Sequence, residues 1–285
     1  MTTLFRKGIS VLRTDGPAAF LRRAYRNMRW QLWPTERYLR WRIGSLRNVL
    51  SLSIADLEVG MVATDRQSVE LTLHRFRTER EELTDFITRL RSDDVVFDIG
   101  ANTGLYTCFA TQKCTAGKVV AFEPYPPNIA ELEANIKRNG GRGRVVEQAL
   151  SDETGMANLS APSEASPGHG TASLSEEGET VSVVRGDELV QNGTVPQPNV
   201  LKIDVEGAES RVIDGLVETL DNEACRLVYC EVHLSPGNRE NGNDMREKEL
   251  SAIQDRLIGL GFDVEQIGAR GQEIHLRAQA HGQEH

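Results

Sequence analysis

A chain of 285 residues with 39% hydrophobic and 26% charged residues holds enough apolar material for a full core and reads as a soluble globular protein. Its longest apolar runs are a few residues, which excludes a spanning helix. The opening MTTLFRKGISVLRTDG lacks a secretory signal's apolar stretch and cleavage site, so a cytoplasmic protein is expected. Net charge is −9, yet residues 1–50 carry eleven Lys and Arg against Asp15 and Glu36, so the acidic remainder would repel phosphates and counts against nucleic acid as a partner.

In chain order, residues 1–50 read as a basic helical extension. Phe20, Leu21, Ala24, Tyr25, Met28 and Leu32 recur at helical spacing with arginines largely off that stripe; Pro34 ends the run, and a second helix carries Tyr38, Leu39, Trp41 and Ile43, so the segment also holds Trp30, Trp33 and Trp41. Such a segment suits docking on the acidic body or peripheral contact with an anionic membrane. Residues 51–92 lead into the core. LSLSIADLEVGMVAT and SVELTLHRF alternate apolar and polar residues as short strands do, and residues 76–91 return to helix with Leu83, Phe86, Ile87 and Leu90 on one face. His74 falls within the second expected strand, as a packing residue.

From residue 93 to 285 the pattern is strand, turn, helix, repeated. Strands are expected at Val95–Ile99, Lys118–Glu123, Arg144–Leu150, 200–205 and 226–232. Helices are expected through about Thr111 and at 127–138, 208–220 and 244–260. Residues 152–186 break the rhythm with short hairpin strands around SEASPGHG, which carries His169. A terminal pair, 262–267 and 272–278, has a connection too short for a crossover and must be antiparallel. The alternation implies an α/β fold, a mostly parallel sheet with helices on both faces. Cys108, Cys114, Cys225 and Cys230 show no metal-like spacing and read as buried thiols.

The chemistry concentrates at two strand ends. In Val95-Val96-Phe97-Asp98-Ile99-Gly100-Ala101-Asn102-Thr103-Gly104 a buried strand delivers Asp98 to its carboxyl end, where open α/β sheets bind ligands. The glycines are spaced G-x-x-x-G, unlike the G-x-G-x-x-G that brings a dinucleotide pyrophosphate to a helix start. Glu123 ends the next strand, placed to accept hydrogen bonds from ribose hydroxyls. The pair points to an adenosyl ligand with an amino-acid end whose ammonium Asp98 meets. Further on, Lys202-Ile203-Asp204-Val205-Glu206-Gly207-Ala208-Glu209 puts Asp204 at a strand tip with Glu206 in the following loop, and the next strand brings Glu231 and His233 to the same edge. Asp204 or His233 is the expected general base for an alcohol, with Glu206 and Glu231 orienting substrate hydroxyls. The competing reading makes Glu206 and Glu209 helix-start acids and His233 structural. No metal is required, although oxygen ligands there suit Mg²⁺.

The runs DVVFDIGANTGLYT, VVAFEPYPPNIAELEANIKRNG, VVEQALSDETG and LKIDVEGAESRVIDG resemble the FkbM family of class I methyltransferases, over roughly residues 76–235. The resemblance implies a Rossmann-like, mostly parallel seven-stranded sheet with an antiparallel last strand, S-adenosyl-L-methionine as cofactor, and O-methylation of a hydroxyl on a glycan, glycolipid or small natural product. Methyl esterification of a sugar carboxylate is the neighbouring alternative. On that analogy Asp98, Gly100, Asn102 and Gly104 line the methionine side, Glu123 holds ribose, and Ser151 and Asp152 fall beside adenine. A nicotinamide-dependent oxidoreductase and a non-catalytic adenosyl-binding module are the readings from other classes. Partners are then a small-molecule, glycan or lipid-linked glycan substrate, with the oligomeric state left open.

Overall fold

A computed structural model describes residues 48–64, 66–160, 173–175, 178–234 and 242–282. The expected helices of residues 1–47 and the histidine-bearing stretch at 169 lie outside the described residues.

Six strands of the central sheet run in one direction, β12 (Phe262–Arg270) and five that pair in parallel: β3 (Val95–Ile99), β4 (Lys118–Phe122), β5 (Gly143–Val146), β10 (Val200–Ile203) and β11 (Leu227–His233). β13 (Glu273–Ala280) runs antiparallel to both β11 and β12, and the spatial order is β12-β13-β11-β10-β3-β4-β5. The antiparallel terminal pair expected from its short connection is present.

Alternation along each strand sends side chains to two cores. On one face, Val96 and Val119 pack with the hairpin β1 (Val49–Ile54) and β2 (Leu57–Val62) and with helices α1 (Arg66–Thr78), α2 (Arg80–Arg89) and α3 (Leu105–Lys113). On the other, Phe97, Leu201 and Val228 pack with α5 (Gly186–Gln191), α6 (Glu209–Asp214), α7 (Val217–Leu220) and α8 (Gly242–Gly259). Helix α4 (Pro126–Arg138) covers Ala121 through Leu132 and Ile136. Its Asn135 and Asn139 tie down β2, accepting from Val62 N at 2.6 Å and Gly60 N at 2.9 Å. All four cysteines are free and buried.

Three expectations are corrected. SVELTLHRF is helix α1, because Val69, Thr72, Leu73 and Phe76 are the buried set, at helical spacing. Leu71, which completed the apparent alternation, faces a cavity instead of the core. The expected strand Arg144–Leu150 is two strands: β5 pairs with β4, the polar Glu147-Gln148 intervenes, and β6 (Ala149–Ser151) joins a second sheet. That sheet is ordered β6-β9-β7-β8, with β7 (Gly155–Ser160), β8 (Ser173–Ser175) and β9 (Glu179–Arg185). The expected helix 208–220 breaks at Gly215, where a Cβ would stand 1.9 Å from the Ser151 carbonyl oxygen. Asp187 then caps α7 by accepting from Thr219 N at 2.8 Å.

Candidate active site

The carboxyl ends of β3, β4 and β10 are laced together before any ligand is considered. Gly100 N and Ala101 N both donate to the Phe122 carbonyl at 3.0 Å, and Asp204 N donates to the Ile99 carbonyl at 3.0 Å. Gly100 has φ +79°, and a Cβ there would sit 1.8 Å from the Asp204 carbonyl oxygen, so only glycine lets the β3 loop pass β10 this closely. Above these ends opens a cavity of about 380 Å³, within the usual range for small-ligand sites.

One end of the cavity is built from the β3 and β4 loops. Glu123, 5% exposed, accepts from Asn102 N at 2.8 Å through one oxygen and from Tyr125 N at 2.9 Å through the other. Burial pushes its carboxyl up, and those backbone donors oppose the shift. The Asn128 side chain is a third hydrogen-bond partner, which leaves the carboxylate one lone pair to offer. Gly100, Asn102, Phe122, Pro124, Ala149 and Leu150 complete this end.

The other end carries the charge. Burial alone would raise the Asp204 carboxyl, but Lys202 Nζ at 2.8 Å and Arg75 Nη2 at 3.4 Å hold it well below the usual carboxylate range. Glu206 is lifted to about 7 by burial, which outweighs the pull of His233. Glu231 is pushed up to about 8 by burial and then by Asp204, against Arg270 Nη2 at 2.9 Å. For His233, burial opposes the charged ring, but the hydrogen bond to Glu209 and the carboxylates of Asp204 and Glu206 raise it to about 9. Its Nδ1 lies 2.8 Å from Glu209 Oε1, and its Nε2 lies 3.4 Å from Glu206 and 3.9 Å from Asp204. Glu206 holds φ +54° and Asn102 φ +53°, a left-handed conformation that costs a non-glycine residue about 1–3 kcal/mol, so both ends of the cavity store backbone strain.

Some of the residues singled out from sequence meet at this cavity and others do not. Gly100, Asn102, Glu123, Asp204, Glu206 and Glu231 line it, and His233 stands directly behind Glu206. Asp98 lies beneath the floor, 1% exposed; it accepts from Thr107 Oγ1 at 2.5 Å while its Oδ1 has no hydrogen-bond partner. Gly104 starts α3 with φ +88° and packs under Leu132 instead of facing the cavity. Ser151 is buried away from it, and Asp152 bonds to Ser151, leaving Ala149 and Leu150 as the wall there. His74, expected to pack in a strand, is exposed on α1 at the cavity rim.

Sequence reasoning missed Arg75, Glu79, Arg270 and Glu273, all lining residues. A helical reading of residues 66–78 would have put Leu71, Arg75 and Thr78 on one face. Arg270 and Glu273 carried no local signal, since the turn between β12 and β13 brings them back to the sheet edge. Asp204, Glu206 and His233 approach one another within 4.8 Å, and Lys202 and Arg75 supply positive charge beside Asp204.

This strand order, with a ligand-sized cavity over the carboxyl ends and an acid at the second strand tip, defines a class I Rossmann-like methyltransferase. A model of the methyltransferase FkbM domain matches residues 98–264. The chain belongs to the FkbM family of methyltransferases. It is similar to the hexuronic acid methyltransferase AglP of Haloferax volcanii, 33% identical over 190 residues that cover 65% of this chain and 76% of that protein. It is also similar to the 31-O-demethyl-FK506 methyltransferase FkbM of Streptomyces tacrolimicus, 34% identical over 175 residues, 50% of this chain and 67% of that protein. Among solved structures, a methyltransferase FkbM from Methylobacillus flagellatus aligns with a TM-score of 0.48 at 14% identity, covering 75% of this chain and 54% of that one. The family removes the nicotinamide-dependent alternative. Among the described residues no helix is long and apolar enough to cross a membrane.

Proposed function

We propose that the chain is an S-adenosyl-L-methionine-dependent O-methyltransferase acting on a hydroxyl of a glycan, glycolipid or small natural product. The observation that carries this reading is one cavity with a buried carboxyl group at each end in different surroundings. Glu123 is fixed by two backbone donors and the Asn128 side chain, with a lone pair to spare, and Glu206 is lifted to about 7 on a strained turn. The methyl donor supplies an electrophilic methyl group. Glu123 accepts from its ribose, the Gly100–Asn102 loop faces its amino-acid end with Asp98 buried beneath the floor, and Ala149, Leu150 and Pro124 give apolar surface to the base. Gly104, Ser151 and Asp152 support these walls from outside.

At the acceptor end Glu206 is the group matched to neutral pH, and it takes the hydroxyl proton as the new C–O bond forms. Asp204, pinned by Lys202 and Arg75, is too weak a base. His233 is already protonated at neutral pH, so it serves as the cation behind Glu206. Glu231 is held as a neutral acid at neutral pH and orients a second acceptor oxygen.

Esterification of a sugar carboxylate is a second reading, favoured by Arg75 and Arg270, two cavity arginines that each keep one Nη1 without a hydrogen-bond partner. Such an acceptor needs no base. Incubation with methyl-labelled S-adenosylmethionine and a panel of neutral sugars, polyols and uronic acids separates the readings. An alkali-stable labelled product supports the hydroxyl; an alkali-labile product means the carboxylate; label transfer to no member, with no S-adenosylhomocysteine binding by calorimetry, overturns both.

A further inference from the structure

Glu209 is the first residue of α6, where an acid is usually a helix-start charge and nothing more. Its surroundings fit that role poorly. The side chain is 3% exposed, and Oε1 turns backward to accept from Gly207 N at 2.9 Å while meeting His233 Nδ1, on another strand, at 2.8 Å. One oxygen therefore binds two elements: the Glu206-Gly207 turn, left-handed at both residues with φ +54° and +101°, and the tip of β11. Neither contact belongs to the helix that Glu209 begins.

We propose that Glu209 is a positioning residue for methyl transfer. It fixes the His233 ring with Nε2 toward Glu206, and it pins the strained turn that carries Glu206 into the cavity. The inference rests on the reading of Glu206 as base. The logic is that of a catalytic histidine oriented by a buried carboxylate, displaced by one residue: the ring holds its neighbour's charge and orientation instead of taking the proton itself. Without Glu209 the ring loses its closest anion and the turn loses its clamp.

Among the described residues, the ionisable groups facing the ring all enter this balance. Glu206 and Asp204 approach Nε2 from the β10 side at 3.4 and 3.9 Å, Glu231 from its own strand at 4.0 Å, and Glu273 stands opposite on β13. The neighbouring cations are committed elsewhere: Arg75 and Lys202 to Asp204, and Arg270 to Glu231 and Glu273. Removing the Glu209 charge leaves the other carboxylates in place, so the ring falls part of the way from about 9 toward 6.5.

Nitrogen-15 NMR of the full chain, without donor or acceptor, reads the ring directly. The unaltered protein should show a hydrogen-bonded Nδ1 proton and a titration midpoint near 9. In Glu209→Gln, which keeps an oxygen for Gly207 N but loses the charge, the midpoint should fall by about one unit or more. On an acceptor found by the panel, kcat/KM should fall about tenfold at every pH while its acid limb stays near 7, because a ring near 8 is still charged there but is no longer held in place. A merely structural role would change thermal stability and leave the ring midpoint and kcat/KM in place. An unaltered protein titrating at or below 6.5 overturns the proposal even if Glu209→Gln does not fold. The ring measurements can fail while methyl transfer succeeds, and an alkali-labile product can overturn the base while the ring behaves as expected.

Discussion

Replacing Glu123 by Gln alters the donor end of the cavity at one atom. Both carboxylate oxygens accept a buried backbone N–H, from Asn102 at 2.8 Å and from Tyr125 at 2.9 Å. A Gln amide can match only one of these, because its NH₂ must face the other donor. The stranded N–H costs about 1–3 kcal/mol of stability. The cavity also loses one charged acceptor; a hydrogen bond to a charged group contributes roughly 1.5–3 kcal/mol. Taking about 2 kcal/mol, the dissociation constant for S-adenosylhomocysteine should rise by about 30-fold. Titration calorimetry reads this number, with circular dichroism and a thermal melt to verify folding. An unchanged affinity in a folded Glu123→Gln protein would refute the assignment of Glu123 to the ribose, and with it the orientation proposed for the donor.

Three further outcomes follow from other residues. Because Glu206 is lifted to about 7 and acts as a base only when ionised, kcat/KM should climb with pH through about 7; Glu206→Gln should flatten that limb and lower the rate by about 10²–10⁴-fold. Gly100→Ala would drive a Cβ against the Asp204 backbone and should unfold the loop or cost more than about 3 kcal/mol in a denaturant melt. Gly140→Ala, with φ +101° but nothing within 4 Å, should cost only about 1–2 kcal/mol. Dialysis against EDTA should leave methyl transfer unchanged, since Lys202, Arg75 and the imidazolium already neutralise the cluster; a rate restored only by added Mg²⁺ would contradict that account.

The sheet and one wall of the cavity were legible because local pattern and tertiary role coincide there. Val95–Ile99 is buried on both faces and reads as a continuous apolar strand, and the glycine turn and Glu123 each sit at a strand tip, where sequence spacing fixes position. The same logic placed Asp204 and Glu231. It failed where one side chain served a different surface from its neighbours: Leu71 made a helix look like a strand, and with the wrong period Arg75 could not be seen turning toward Asp204. Asp98 was legible as a buried strand-end acid, but its depth below the floor depends on Thr107 and the α3 helix, which no spacing reveals. Assigning the base to Asp204 or His233 also required knowing their partners. Lys202 sits two residues before Asp204, but Arg75 and Glu209 reach the site only through the fold.

The cavity's two ends are drawn from different stretches of polypeptide. The Glu123 end comes from a single run between Ile99 and Leu150, while the opposite end is gathered from α1, the loop after β10, the tip of β11 and the turn joining β12 to β13. On the orientation proposed above, substitutions in α1 or in the Arg270–Glu273 turn should change the acceptor taken and leave S-adenosylhomocysteine affinity in place, and exchanging those two segments between relatives is the shortest route to moving it.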